Sequence, residues 1–195
     1  MYTFHFEVVI QNLGGLLEGA GMTIYISLLT MALGSALGIL VCLGRMSKSK
    51  VTSGIASAYI QFIRGTPLLV QLLWIYYGLP LILGLSLPPV VSGVVGMSLN
   101  VSAYISEIFR AGIQAVDRGQ YEAARSIGMS HSLAFRRIVA PQAFRVVIPP
   151  LANFFIGLVK DTSLVSVISV GELVRSGQLV ASATFRTMEI FTGVA

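Results

Sequence analysis

The residues equipped for chemistry are few and badly placed for it. The chain has two histidines, His5 and His131, one cysteine, Cys42, and eight acidic side chains among 195 residues. Covalent catalysis needs a nucleophile beside a base, and a metal centre needs several ligands at matched spacing. Both histidines lie outside the long apolar stretches, Cys42 has no second cysteine to pair with, and no two carboxylates share an apolar stretch. An intramembrane hydrolase or protease therefore has nothing to work with. No catalytic residue, metal ligand or cofactor is expected on this chain.

The apolar stretches do hold uncharged polar side chains: Gln71, Ser98, Asn100, Ser102 and Asn153, with Thr66 just ahead of the first. In lipid such groups are costly and turn toward the interior of a helix bundle. An amide carries both donors and acceptors, so Gln71, Asn100 and Asn153 can recognise both ends of a zwitterion. With Thr66 they form the expected substrate pathway, and helix-helix hydrogen bonding is their plainer role. Lys160 and Asp161 are adjacent, hence on different faces of a helix. They either shape a gate or mark a membrane boundary.

A third chemistry is recognition of a partner. From Gly119 the chain reads Gly-Gln-Tyr-Glu122-Ala123-Ala124-Arg-Ser-Ile-Gly128-Met-Ser-His-Ser-Leu-Ala-Phe-Arg-Arg-Ile138-Val-Ala-Pro141. This pattern predicts a helix, a left-handed break at Gly128, a second helix at a new angle, and a stop at Pro141. Small side chains at Ala123 and Ala124 let another backbone approach. The expected product is a basic helical knuckle of the kind that sits in a partner's groove, the alternative being an ordinary loop between spans.

The elements that must position these residues belong to a membrane protein. The chain is 55% hydrophobic and 11% charged, with a mean hydropathy of +0.83, where soluble domains carry about a quarter charged residues. No charge occurs between Glu18 and Arg45, or between Arg64 and Glu107, and about 20 apolar residues suffice to cross a bilayer. One transmembrane domain over 1–195 is expected, with spans near 21–43, 67–83, 90–112 and 146–168, the start of a last span at 188–195, and a cytoplasmic loop over 113–145. Turn chemistry at Gly78-Leu79-Pro80 and from Gly84 to Pro89 separates the second span from the third. Pro149-Pro150 should leave the fourth short and irregular. Val51, Ile55, Tyr59 and Phe62 recur at helical spacing, predicting an amphipathic or packed helix before span two.

Arg45, Lys48, Lys50 and Arg64 follow the first span, and Arg118, Arg125, Arg136, Arg137 and Arg145 follow the third. The positive-inside rule places both loops in the cytoplasm and the segment bearing Glu7 and Glu18 outside. That segment, opening Met1-Tyr2-Thr3, lacks the basic region and cleavage site of a removable signal. The net charge of +5 is thereby a matter of membrane orientation, and nucleic acid is not an expected partner.

Glu122-Ala123-Ala124, Gly128, Ile138 and Pro141 resemble, in residues and spacing, the glutamate-alanine-alanine (EAA) signature of ABC importer permeases, with Ala140 where leucine usually precedes the proline. The resemblance covers roughly residues 15–195. Arg64 to Gln71, Leu99 to Tyr104, Glu107 to Gln114 and Lys160 to Leu164 look like the polar amino acid branch. Lys160 to Leu164 and Gly171-Glu172-Leu173 look like glutamine and cystine permeases. The resemblance implies an all-α, type I importer bundle of about five transmembrane helices, the form a bilayer permits, whose last helix is completed beyond Ala195. It implies that the EAA residues dock an ABC ATPase dimer, which binds the ATP. A second permease subunit, identical or related, and an external solute-binding protein complete the expected assembly, with a polar amino acid as substrate. The spans alone also suit a self-sufficient channel or a secondary carrier. A carrier is expected to show internal repeats or buried coupling acids, and apart from Asp161 the sequence offers neither.

Overall fold

The long charge-free stretch after Glu18 forms a single helix, α2 (Leu13–Arg45), about 50 Å long at 1.5 Å per residue. It is preceded by a short helix, α1 (Glu7–Gln11), in a computed structural model that describes residues 3–195. The opening Met1-Tyr2 of the segment read for a signal lies outside the described residues. The chain continues through α3 (Lys50–Gly65), α4 (Leu68–Leu73), α5 (Leu79–Leu83), α6 (Pro89–Gln114), α7 (Arg118–Ser126), α8 (His131–Ala134), α9 (Ala140–Asp161), α10 (Leu173–Thr184) and α11 (Thr187–Val194). Among the described residues, Leu13–Arg45, Pro89–Gln114 and His131–Ile168 are long and apolar enough to cross a membrane, and Lys50–Gly65 with Leu68–Leu83 passes only as a bent pair, a broken span or a re-entrant loop.

Two prolines expected to end helices do not. Pro80 lies in α5 and Pro141 in the first turn of α9, and each follows a widened turn, Trp74–Gly78 and Phe135–Val139 respectively. In both turns an N–H reaches five residues back, Leu79 to the carbonyl of Trp74 and Ala140 to that of Phe135. A proline ring clashes with the carbonyl four residues before it. The extra residue of a π turn shifts that carbonyl and lets the helix run on. The break after the second span falls at Gly84, where φ is +67°, at the start of the Gly84–Pro89 stretch whose turn chemistry marked it, and not at Gly78-Leu79-Pro80. Pro149-Pro150 also sits inside a continuous helix: α9 starts upstream of the expected Val146 and runs 22 residues to Asp161. Transmembrane helices tolerate such interior prolines when neighbours satisfy the freed carbonyls.

The chain divides into two compact units. The first comprises Met1–Thr30, Pro67–Met97 and Gly157–Ala195, with Ile26, Leu72, Met97, Val165, Ile168 and Ile190 in its core. Buried polar groups organise it. Thr23 on α2 accepts the Leu173 N–H at 3.2 Å, and Glu172, fully buried, caps α10 by accepting from Val174 and Arg175 at 3.0 and 2.7 Å. Burial raises the Glu172 carboxyl above its usual range, against the opposing effect of those two hydrogen bonds. Glu189, also fully buried, accepts the His5 N–H at 3.2 Å and pairs with Arg186 at 3.6 Å. These contacts fix the N-terminal segment to α11.

The second unit comprises Met31–Thr66 and Ser98–Ile156. Gly34 and Gly38, one turn apart on α2, leave room for α6: a Cβ would lie 2.5 Å from Val101 at Gly34 and 2.9 Å from Ile105 at Gly38. This small-xxx-small spacing is how helices approach closely in lipid, where apolar burial gives no drive to associate. On α3 the buried stripe is Ala56, Ile60 and Ile63, while Val51, Ile55 and Phe62 are exposed. The helix is therefore apolar on both sides, and only Tyr59 of the predicted stripe turns to a partner. Its hydroxyl donates to the Leu99 carbonyl at 2.9 Å and lies 2.7 Å from the Ser102 hydroxyl.

Candidate functional site

The knuckle after α6 is built from local rules. Asp117 caps α7, its Oδ1 accepting the Gly119 N–H at 2.6 Å. At the other end Gly128 takes φ +84°. Its N–H donates to the Arg125 carbonyl at 3.0 Å, and the Met129 N–H donates to the Ala124 carbonyl at 3.2 Å. This pair of bonds is the Schellman closure, which needs a left-handed residue at its centre and is met most cheaply by glycine. Ser130 then caps α8, accepting from Leu133 at 3.3 Å. Two further ties cross the break: Arg125 donates to the Met129 carbonyl, and Tyr121 hydrogen-bonds His131 with the two rings stacked. His131 is thus a brace of the knuckle.

The predicted docking residues differ in exposure. Glu122, Ala123, Gly128 and Pro141 are exposed, Ile138 is half-buried, and Ala124 is 4% exposed. Tyr121 and Ala124, one helical turn apart, face inward as α7 packs on α8 and the turn that carries Ile138. Ala124 therefore fills the knuckle's own interior, and the close approach expected of both alanines is open only at Ala123. Glu122 accepts the Ser126 hydroxyl on its backbone carbonyl at 3.0 Å, which leaves its side chain facing outward. Arg118, Arg125, Arg136 and Arg137 are exposed on the same elements.

The polar residues of the apolar stretches fall in both units. Thr66, Asn100 and Asn153 lie in the unit that carries the knuckle. Thr66 ends α3 and donates to the Phe62 and Ile63 carbonyls at 3.0 and 3.3 Å. Asn100 is buried on α6, and Asn153 is exposed on α9. Gln71, half-buried on α4, and Lys160 and Asp161, both exposed at the end of α9, belong to the other unit. Ser102 serves helix packing through Tyr59, and the buried Ser98 hydroxyl has no hydrogen-bond partner among the described residues.

Sequence reasoning used Arg64 for membrane orientation and Arg64 and Glu107 as the bounds of a charge-free stretch, and gave none of Arg64, Tyr104 and Glu107 a place in the substrate path. The structure stacks Arg64 over the Tyr104 ring, 5.0 Å from its centroid, and Tyr104 against Phe154, with centroids 5.8 Å apart. An arginine in a charge-free stretch's flank, three residues before Pro67, was the available signal.

Residues 20–195 match the family described as binding-protein-dependent transport system inner membrane component. The chain is 47% identical over 173 residues to the L-cystine transport system permease protein TcyB of Bacillus subtilis, covering 88% of this chain and 74% of that one. It is 39% identical over 181 residues to the glutamine transport system permease protein GlnP of Escherichia coli, covering 92% and 83%. Among solved structures it superposes on an amino acid ABC transporter crystallised with histidines, with a TM-score of 0.93 at 41% identity over 99% of this chain and 90% of that one. The members are permeases that leave ATP hydrolysis to a partner ATPase and receive solute from a binding protein. With its exposed helical knuckle and its long apolar helices, the chain belongs to the binding-protein-dependent inner membrane component family and is a multi-pass permease subunit of an ABC importer.

Proposed function

We propose that this subunit forms the membrane path for a polar amino acid, of glutamine or cystine type, and that its knuckle couples the path to the ATPase. The observation that carries this reading is the left-handed Gly128 break, which holds Glu122 and Ala123 outward on α7 while Ala124 locks the helix to α8. A rigid, exposed helix end can transmit displacement of a partner, whereas a flexible loop would absorb it. In this scheme ATP-driven closure of the ATPases biases the subunit between two arrangements, and the work enters through Glu122, Ala123, Ala124, Gly128, Ile138 and Pro141.

Thr66, Gln71, Asn100 and Asn153 are proposed to contact the amino acid on its way, with Lys160 and Asp161 at a gate. The relatives that transport cystine and glutamine support this substrate class. The N-terminus is proposed to face outward, since basic residues follow the first and third spans. Pairing with a second permease on an ATPase dimer completes the machine.

The test is ATPase activity of the reconstituted complex with its binding protein across a panel of amino acids. Stimulation by glutamine or cystine, lost in Gly128→Pro or Glu122→Lys, is the expected result. Normal coupling in both variants sinks the docking assignment, and stimulation only by a non-polar amino acid sinks the substrate assignment.

A further inference from the structure

The unit that carries the knuckle also holds a cavity of about 530 Å³, lined by Arg64 from α3, Tyr104, Glu107 and Arg110 from α6, and Pro150 and Phe154 from α9. Small-molecule sites fall at about 300–1,000 Å³, mostly apolar with a few placed polar groups. The polar groups here are unequally committed. Arg110 grips Glu107 through Nε, at 3.2 and 3.1 Å from the two carboxylate oxygens, and through Nη2 at 2.6 Å, and it donates to Gln114 at 2.8 Å. Arg64 has no hydrogen bond or ion pair among the described residues; its neighbour is the face of Tyr104, at 5.0 Å.

We propose that this cavity is a subsite for the transported amino acid on the exit side, with Arg64 receiving its α-carboxylate. The proposal rests on the substrate class given above. A guanidinium fork matches a carboxylate in two parallel hydrogen bonds, and Tyr104 holds this fork from behind. Glu107 is the one carboxylate in the lining. Its oxygens have about four lone-pair sites in all, so it can accept from an ammonium while keeping Arg110. Two guanidiniums and one carboxylate line the cavity: with Arg110 committed to Glu107, Arg64 can meet the carboxylate end of a zwitterion and the remaining Glu107 lone pairs its ammonium end.

Position along the helices gives the same answer. Asn100, Tyr104 and Glu107 follow one another at four and three residues on α6, hence on one face. On α9, Asn153 is three residues from Pro150 and adjacent to Phe154. The cavity thus continues from Asn100 and Asn153 by one to two turns toward the end of α6 that leads into the knuckle.

The experiment uses proteoliposomes of the complete permease, ATPase and binding protein, preloaded with L-glutamine or L-cystine. Uptake is measured against the internal concentration of the same amino acid for wild type, Arg64→Gln and Arg64→Lys. Internal amino acid is expected to slow wild-type uptake, with the half-inhibiting concentration raised about tenfold or more in Arg64→Gln, as for loss of a charged hydrogen bond, and partly restored in Arg64→Lys. Should Arg64→Gln fail to fold, Tyr104→Leu, which removes the ring behind the guanidinium, is expected to shift the same curve. No inhibition of wild type, or unchanged curves in the folded variants, overturns the subsite while leaving binding-protein-stimulated ATPase activity, and so the substrate class, intact. If neither amino acid stimulates the wild-type ATPase, the substrate reading fails and the subsite falls with it. An anionic phospholipid that co-purifies with wild type and is lost from Arg64→Gln, without competition from amino acid, overturns the subsite in favour of a lipid.

Discussion

Replacing Gly128 by alanine isolates backbone conformation as the source of the knuckle's shape. A Cβ built at Gly128 meets nothing within 4 Å, so the substitution introduces no clash. Its whole effect comes from φ +84°. An L-residue held in a left-handed conformation costs about 1–2 kcal/mol, which lowers the ratio of closed to open knuckle by a factor of about 5–30. Relaxation offers no escape, since unwinding forfeits the Gly128 and Met129 hydrogen bonds at 3.0 and 3.2 Å, worth about 1 kcal/mol each. Titration of the ATPase onto nanodisc-held permease should show weaker binding by up to that factor, with less amino acid moved per ATP. Gly128→Asn should retain most of the affinity, because asparagine tolerates the left-handed region. Gly54→Ala supplies the control, being mid-helix with nothing near its Cβ. Wild-type affinity and coupling in Gly128→Ala would refute the claim that a rigid break is what the partner reads.

Further expectations follow from the same structure. Pro141→Ala restores an N–H and removes the ring that the widened turn at Phe135–Val139 accommodates; thermal stability should rise, by at most about 3 kcal/mol, while transport per ATP falls because the knuckle's rotation relative to α9 changes. A rise in stability with unchanged coupling would show that the π turn carries no function. Ser169 holds φ +65° without being glycine, so Ser169→Gly should stabilise by about 1 kcal/mol, read as a higher unfolding midpoint, and a lower one would contradict the strain argument. Burial raises the Glu172 carboxyl in the folded state. Its favourable contribution is therefore present in full below the unfolded carboxylate value, about 4.3, and is lost as pH rises through the folded value. Glu172→Gln should flatten that decline in thermal unfolding across the range, and an unchanged pH profile would count against it.

Much of the site was legible locally because local rules fix it. A glycine between two helical patterns determines a left-handed break whatever surrounds it, as at Gly128; the caps at Asp117 and Ser130 obey equally local rules but were not singled out in the sequence. Charge-free stretches longer than a bilayer's thickness determine helices, because backbone groups in lipid have no other partners. Proline chemistry, read locally, misled at Pro80, Pro141, Pro149 and Pro150. The rule for an isolated helix holds, but widened turns and neighbouring elements absorb the misfit.

Which residues meet was a matter for the tertiary structure. Nothing in the spacing of Glu122-Ala123-Ala124 distinguishes an inward alanine from an outward one; the packing of α7 on α8 makes Ala124 interior and leaves Ala123 exposed. Arg64, Tyr104 and Phe154 are 40 and 50 residues apart in sequence, and three separate helices bring their side chains into one stack. The chain's own chemistry determined that it enters a membrane and that the knuckle breaks at Gly128, because those preferences act over a few residues. The docking of those helices against one another decided which polar groups share a cavity, because it depends on the close approach of surfaces such as Gly34 and Gly38 against α6.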